Sequence, residues 1–440
     1  MKKQIAVITG LLTFVLMANA MELPNGVDAK VVRTKEENGH IVEAEVANSV
    51  VFETKYGSIP TKEKTKVCFY ESGSLKSFHP SDKLDVMLKC GTFTISSVYN
   101  VSVDKPIIFD EEGNLVSAYL PYKKESLPQN VAETSIGGVK LGTQAAVEFY
   151  SNGTLKSASV PVKTVVRING KLTPLAPNSK IRFYETGELM EYSPTESSTY
   201  YGIKTKAKNP LVLSESGKII SLIPANGEVL DMGEDLSFYF ENNMPVEFYE
   251  SGEFKKMTLD CGGKDFSYDS FKFLAKDENR VFVTFDYHED GALDKAKGSS
   301  FRVKYGELEF NADSFETYQS GKLRTVRFAE GLPDKDKEGN LIYIFRRYYD
   351  ENGNITAQVS NNMILLMKAD GKTIDRQIYN TGYLADKNHD ITETSSGIHS
   401  DSEIIFDENG SPTAYTVYGN HDALRLRSKN PKIVEVPITE

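Results

Sequence analysis

Phe69-Tyr70-Glu71-Ser72-Gly73-Ser74-Leu75-Lys76-Ser77 is the stretch on which the reading of this 440-residue chain turns. Val67 and Phe69 are apolar at period two with polar neighbours, the pattern of a half-buried strand. Glu71-Ser72-Gly73 then supplies turn chemistry. Its glycine can take the left-handed conformation that closes a type I turn with a bulge. Leu75 restarts an inward face and Lys76 points outward. The nine residues therefore read as a β-hairpin.

The same phrase returns along the chain. Close copies are Phe149-Tyr150-Ser151-Asn152-Gly153-Thr154-Leu155-Lys156-Ser157, Phe183-Tyr184-Glu185-Thr186-Gly187-Glu188-Leu189 and Phe248-Tyr249-Glu250-Ser251-Gly252-Glu253-Phe254. Weaker copies carry Gly321 and Gly353. An Asp variant surrounds Gly113 and Gly410, and degenerate copies centre on Gly217, Gly291 and Gly382. From Gly73 to Gly410 the turn glycines recur about every 34 residues, a spacing of repeat architectures. A second turn often precedes the first, as at Gly57, Gly138, Gly170, Gly306 and Gly339. Helical periodicity is almost absent, and aromatic and β-branched residues fill the apolar positions.

The expected fold is all-β: tandem antiparallel β-hairpins forming an elongated twisted sheet or solenoid, with β-propeller-like closure as the alternative. A lone hairpin is marginal in water, so consecutive hairpins must share a core. The uneven glycine spacing favours the open form. The expected organisation is a signal peptide over residues 1–20, a lead-in strand region over 21–50, the hairpin array over 51–418 and a tail strand over 419–440.

The phrase F-Y-E-x-G-x-L-K-S resembles the variant MORN repeat of bacterial proteins, over residues 69–77, 149–157, 183–189 and 248–254. That resemblance implies successive β-hairpins and binding or scaffold roles, with antitoxin-like or immunity functions in some members. It carries over no functional residue, and MORN-type units lie closer together than the spacing here.

Met1 to Ala20 has Lys2 and Lys3, an apolar run from Ile5 to Ala18, and a small-x-small ending at Ala18-Asn19-Ala20, the form of a secretory signal. The run is shorter than the ~20 residues a spanning helix needs. Residue 21 is Met, so no cysteine stands ready for a lipid anchor. The expectation is an exported chain, periplasmic, surface-associated or secreted, with no transmembrane segment after cleavage. Loss of two lysines and no acids takes the formal charge from −11 to −13. That acidity argues against nucleic acid as a partner. In an oxidising compartment Cys68 and Cys90 are a candidate disulfide, set against the bland reading of buried thiols.

Chemical motifs are sparse. There is no GxSxG elbow, P-loop or HExxH. His389, His399 and His421 lie near acids without ligand-like spacing, and read better as loop residues than as a metal site. Asp334-Lys335-Asp336-Lys337-Glu338-Gly339 opens like a calcium loop, but position 12 is Phe345, not Glu. No cofactor or catalytic residue is expected. The candidate binding surface is the row Tyr70, Tyr150, Tyr184 and Tyr249, placed by alternation on the face opposite the inward phenylalanines. The expected function is non-enzymatic: a binding or scaffold surface for an unknown protein or glycan. A glycan-active or hydrolytic envelope enzyme and an immunity-type partner of a secreted toxin are the alternatives. The structural turn residues are Gly73, Gly113, Gly153, Gly187, Gly252, Gly321, Gly353 and Gly410.

Overall fold

The computed structural model describes residues 19–89, 91–95, 98–100, 103–119, 125–126, 136–137, 140–141, 146–160, 164–168, 171–231, 237–262, 265–268, 270–274, 280–360, 363–379, 396–397, 402–407, 411–419 and 433–437. Among them the chain is all-β, without a helix, and its strands pair antiparallel. It divides into two compact units, Met1–Ser198 with Lys206–Ile219, and Thr199–Thr205 with Ile220–Glu440.

In the first unit each strand bonds to the next in chain order: Asp28–Glu37, His40–Val46, Thr65–Phe69, Leu75–Phe78, Ile107–Phe109, Leu115–Tyr119, Ala146–Phe149, Leu155–Val160, Ser179–Phe183, Leu189–Tyr192 and Leu211–Leu213. The hairpin Val51–Thr54/Gly57–Pro60 is a separate two-stranded sheet, and Thr164–Ile168/Lys171–Leu175 pairs outside the ladder as well. The stretch 21–50 therefore contributes a hairpin to the ladder itself. Asn19–Glu22 pairs with Asp28–Val31, so the expected cleavage point after Ala20 falls inside a strand, while residues 1–18 lie outside the described residues.

In the second unit the ladder runs Val246–Phe248, Phe254–Asp260, Phe282–Tyr287, Leu293–Tyr305, Leu308–Thr317, Leu323–Lys335, Leu341–Tyr349, Ile355–Ser360, Met363–Met367 and Ile374–Tyr379. Here the glycine-turn hairpins at Gly306 and Gly339 are not side sheets. They extend the ladder strands to as many as 13 residues. A smaller sheet joins Ile404–Phe406, Pro412–Gly419 and Ile433–Pro437. Among the described residues no pairing returns either ladder to its first strand, so both are open sheets rather than closed barrels or propellers.

The repeat phrase explains this build. Phe69, Phe149, Phe183 and Phe248 are all 3% exposed or less. Burying each such ring contributes about 1.5–3 kcal/mol. After the phenylalanine the chain turns: Gly73 N–H donates to the Tyr70 carbonyl at 2.9 Å, and Tyr70 N–H to the Ser74 carbonyl at 2.9 Å. Register slips between Cys68 and Phe69, which is the bulge. Gly73, Gly113, Gly153, Gly187, Gly217, Gly252, Gly291, Gly321 and Gly353 all take φ between 75° and 99°. Gly382 and Gly410 lie outside the described residues.

Two further features recur with the turns. Lys64, Asn178, Lys208 and Asn243 each take a left-handed φ, at 56°, 61°, 64° and 64°, nine residues before a turn glycine. Pro80, Pro194 and Pro224 follow their turn glycines by seven residues and form bridges to Thr61, Leu175 and Thr205.

Candidate binding cleft and the turn tyrosines

Strand Thr65–Phe69 ends at the phenylalanine, so Tyr70 is the first residue of the turn and the period-two alternation stops before it. Tyr70, Tyr150, Tyr184 and Tyr249 are all half-buried. Their hydroxyls donate forward to main-chain carbonyls of the next repeat: Tyr70 to Phe109 at 2.8 Å, Tyr150 to Phe183 at 2.9 Å, Tyr184 to Leu213 at 2.8 Å and Tyr249 to Tyr287 at 2.7 Å. Tyr318 does the same to Tyr349 at 2.7 Å. Each acceptor immediately precedes the next turn. The row expected to be a binding surface thus ties one hairpin to the following one. The motif lysine lies over the ring, with Lys76, Lys156 and Lys255 at 5.2, 5.6 and 5.9 Å from the centroids. Burial, followed by the carboxylates of Asp110, Glu111 and Glu112, holds the Tyr70 phenol above its ordinary range.

Where the first turn residue is Asp, the side chain stays at home. Asp110 accepts from Asn114 N and Nδ2 at 2.6 and 2.8 Å, and Asp336 accepts from Asn340 at 2.7 and 2.9 Å. The calcium-like opening is therefore a turn of this kind, while Asp334 pairs with Arg347 at 3.1 Å. Among the described residues no cluster of His, Cys, Asp or Glu is arranged to hold a metal. His389, His399 and His421 lie outside them, as does Cys90. Cys68 is a free, half-buried thiol, and Cys261 is a free buried one.

A cleft of about 820 Å³ lies in the second unit. Its floor is one face of the long strands. Lys297, Ser314, Arg327 and Arg346 sit opposite one another on four consecutive strands. One step along, Lys295, Glu316, Thr325 and Tyr348 form a second row. Tyr318 and Arg324 line the turn end, and Glu403, Ile404, Phe406 and Asp407 form a wall. The wall is held by apolar packing of Ile404 and Phe406 on Tyr348, Ala357, Val359, Ile364 and Leu366. The same sheet face is thus polar at Lys297 and apolar at Ile364, and the cleft marks the change.

Arg346 joins floor and wall. Its side chain is 9% exposed, its Nη1 lies 2.9 Å from Glu403 Oε1, and it also donates to the Ser402 carbonyl at 3.3 Å. Its Nε is buried and has no hydrogen-bond partner. Burial works against the charge, but the Tyr348 oxygen and Glu403 carboxylate outweigh it and hold the guanidinium firmly protonated. Tyr348 in turn accepts from Ile404 N at 3.0 Å. The sequence signal for this site was Arg346-Arg347 inside the otherwise apolar run Ile342–Tyr349, two charges that a buried strand holds only with partners. Lys295 pairs with Glu316 at 2.6 Å and Arg327 with Asp313 at 3.8 Å.

No known protein-family model matches this sequence, and no curated protein matches it. Among solved structures, a TcdB2-TccC3-Cdc42 complex gives a TM-score of 0.12 at 10% identity, covering 93% of this chain and 22% of that one. The Tc holotoxin pore of Photorhabdus luminescens gives 0.11 at 11% identity, covering 90% and 21%. The chain spans about a fifth of the length of those chains. Scores this low carry no argument about what it does. No helix among the described residues is long and apolar enough to cross a membrane.

Proposed function

We propose that this chain is a non-enzymatic binding protein of the bacterial cell envelope or exterior, built from hairpin repeats of the variant MORN type, and that it takes its ligand in the cleft floored by Lys297, Ser314, Arg327 and Arg346. The observation that carries the reading is the cleft itself. It is a concavity of about 820 Å³ on a four-strand floor, with converging polar groups and the aromatic side chains of Tyr318 and Phe406 in its lining. Its volume falls in the range of roughly 300–1,000 Å³ usual for ligand sites, and its lining is more charged than the mostly apolar lining of such sites. Within the second unit the forward bonds of Tyr249 and Tyr318 tie successive hairpins of the sheet that carries this floor. The N-terminal signal pattern supports an address outside the cytoplasm.

The test is an array of glycans and peptides probed with the full chain, followed by hydrogen exchange on each hit. Protection confined to 293–305, 308–317, 323–335, 341–349 and 402–407 is expected. A ligand that protects the first unit instead overturns the assignment. Fractionation that finds an uncleaved cytoplasmic product overturns the address.

A further inference from the structure

We infer that Lys297, Arg327 and Arg346 form an oxyanion site, on which Glu403 sits as an internal carboxylate that an incoming carboxylate or phosphate displaces. This rests on the cleft being the ligand site.

Arg327 and Arg346 stand directly opposite each other on neighbouring strands, and Lys297 lies two strands beyond Arg327 in the same row. Neighbouring strands are about 4.8 Å apart, and like charges directly opposite repel. A face that keeps three cations in one row calls for anions beside it; Asp313 at 3.8 Å from Arg327 and Glu403 at 2.9 Å from Arg346 answer part of that demand from within the chain, and Lys297 is the end left to an incoming group. The chain as a whole carries −11, so this row is set against the overall balance. Glu403 already shows which chemistry suits Arg346, since its carboxylate lies 2.9 Å from Nη1. The fit is incomplete: Glu403's side chain is 61% exposed, so it reaches the guanidinium from the solvent side. The buried Nε has no partner. Lys297, exposed at the far end of the row, has no ion-pair partner among the described residues. A guanidinium holds a carboxylate or phosphate best with two parallel N–H bonds, and Glu403 supplies one short contact. A ligand oxyanion entering the cleft can take Glu403's place while the apolar wall at Ile404 and Phe406 stays seated.

The experiment is calorimetric titration of the full chain at low ionic strength with two probes, tetragalacturonate and inorganic phosphate. The tighter probe identifies carboxylate or phosphate as the group recognised. Lys297→Gln and Arg327→Gln are each expected to weaken that probe about tenfold, and Glu403→Gln to tighten it about fivefold. Affinity should fall as salt rises, because part of the row is exposed. Arg346 is buried and its replacement risks the fold, so the test relies on Lys297, half-buried Arg327 and Glu403. The inference is overturned if neither probe binds, or if both bind equally well to every variant. It is also overturned if Glu403→Gln lowers the melting temperature without tightening either probe, which would make the Arg346 pair a clamp only. If neither probe binds but a neutral array hit still protects the cleft, the oxyanion assignment falls and the cleft assignment stands.

Discussion

The turn at Tyr150 and the turn at Asp350 follow one backbone course and use their first side chain in opposite ways. Both close with glycine N–H to the first residue's carbonyl, at 2.9 Å for Gly153 and 3.0 Å for Gly353. Tyr150 then reaches 33 residues ahead to the Phe183 carbonyl. Asp350 accepts Asn352 N, Asn354 N and Asn354 Nδ2 at 2.8, 2.8 and 3.1 Å, all inside its own turn. One turn is a tether to its neighbour and the other is self-contained. The difference teaches that the repeat has two jobs at one position, coupling hairpins or finishing them.

The largest expected effect comes from the glycines both turns share. A Cβ on Gly153 would meet the Lys89 main-chain N at 3.1 Å, whereas nothing lies within 4 Å of one on Gly353. Gly153→Val should cost about 3 kcal/mol, from the left-handed strain plus that contact, and Gly353→Val about 1–2 kcal/mol from the strain alone. Denaturant unfolding measures both, and equal losses would break the distinction.

Removing the first side chain separates tether from finish. Tyr150→Phe should cost about 1 kcal/mol and Asp350→Ala about 1–2 kcal/mol. Hydrogen exchange gives the sharper reading. Tyr150→Phe should speed exchange across Ser179–Phe183, while Asp350→Ala should act only on residues 349–355. Exchange that quickens only around the Tyr150 turn would remove the coupling role.

The two turn types also answer to opposite ends of the pH scale. Burial and nearby carboxylates raise the phenols of Tyr70 and Tyr249, and burial likewise raises Tyr318 against the opposing charge of Arg324. A raised phenol favours the folded state fully below its unfolded value near 10, and that contribution is lost as pH climbs through the folded value. For Asp350, burial acts upward but the Asn354 and Asn352 bonds outweigh it and lower the carboxyl; hydrogen bonding lowers Asp336 too. Their contribution is present above about pH 4 and lost as pH falls further. Tyr70→Phe should flatten the alkaline limb of a stability–pH curve, and Asp350→Asn the acid limb. Crossed effects would refute the pairing of turn type with limb.

The smallest effect lies just before the hairpins. Lys208 holds a φ of 64° while its N–H donates to the Pro194 carbonyl at 2.8 Å. Lys208→Gly keeps that bond, relieves the left-handed strain and should raise stability by about 0.5 kcal/mol. A loss would show that the lysine side chain contributes more than its backbone conformation costs.

The hairpins were legible because their chemistry is local. Phe69 at period two and Gly73 after a polar turn pair need no knowledge of the rest of the chain. The tyrosine's task was hidden because the bulge takes Tyr70 out of the alternation that places it on a face, and because its partner is a carbonyl 39 residues away. The cleft was hidden for the same reason: Lys297, Arg327 and Arg346 become one row only after three registers are set. The tension of Arg346-Arg347 in an apolar strand was visible, but nothing local names Glu403 as the partner. Lys64 and Lys208 in the left-handed region were also beyond reach, since lysine is an unusual residue there.

The forward bond of the turn tyrosine ends on a main-chain oxygen. Its acceptors belong to Phe109, Phe183, Leu213, Tyr287 and Tyr349, three kinds of residue at spans of 29 to 39 positions. A donor that reads only backbone places no demand on its neighbour's sequence. Units can then be duplicated, exchanged or lengthened by an inserted side hairpin without designing a matching partner, which makes this an array open to growth by copying.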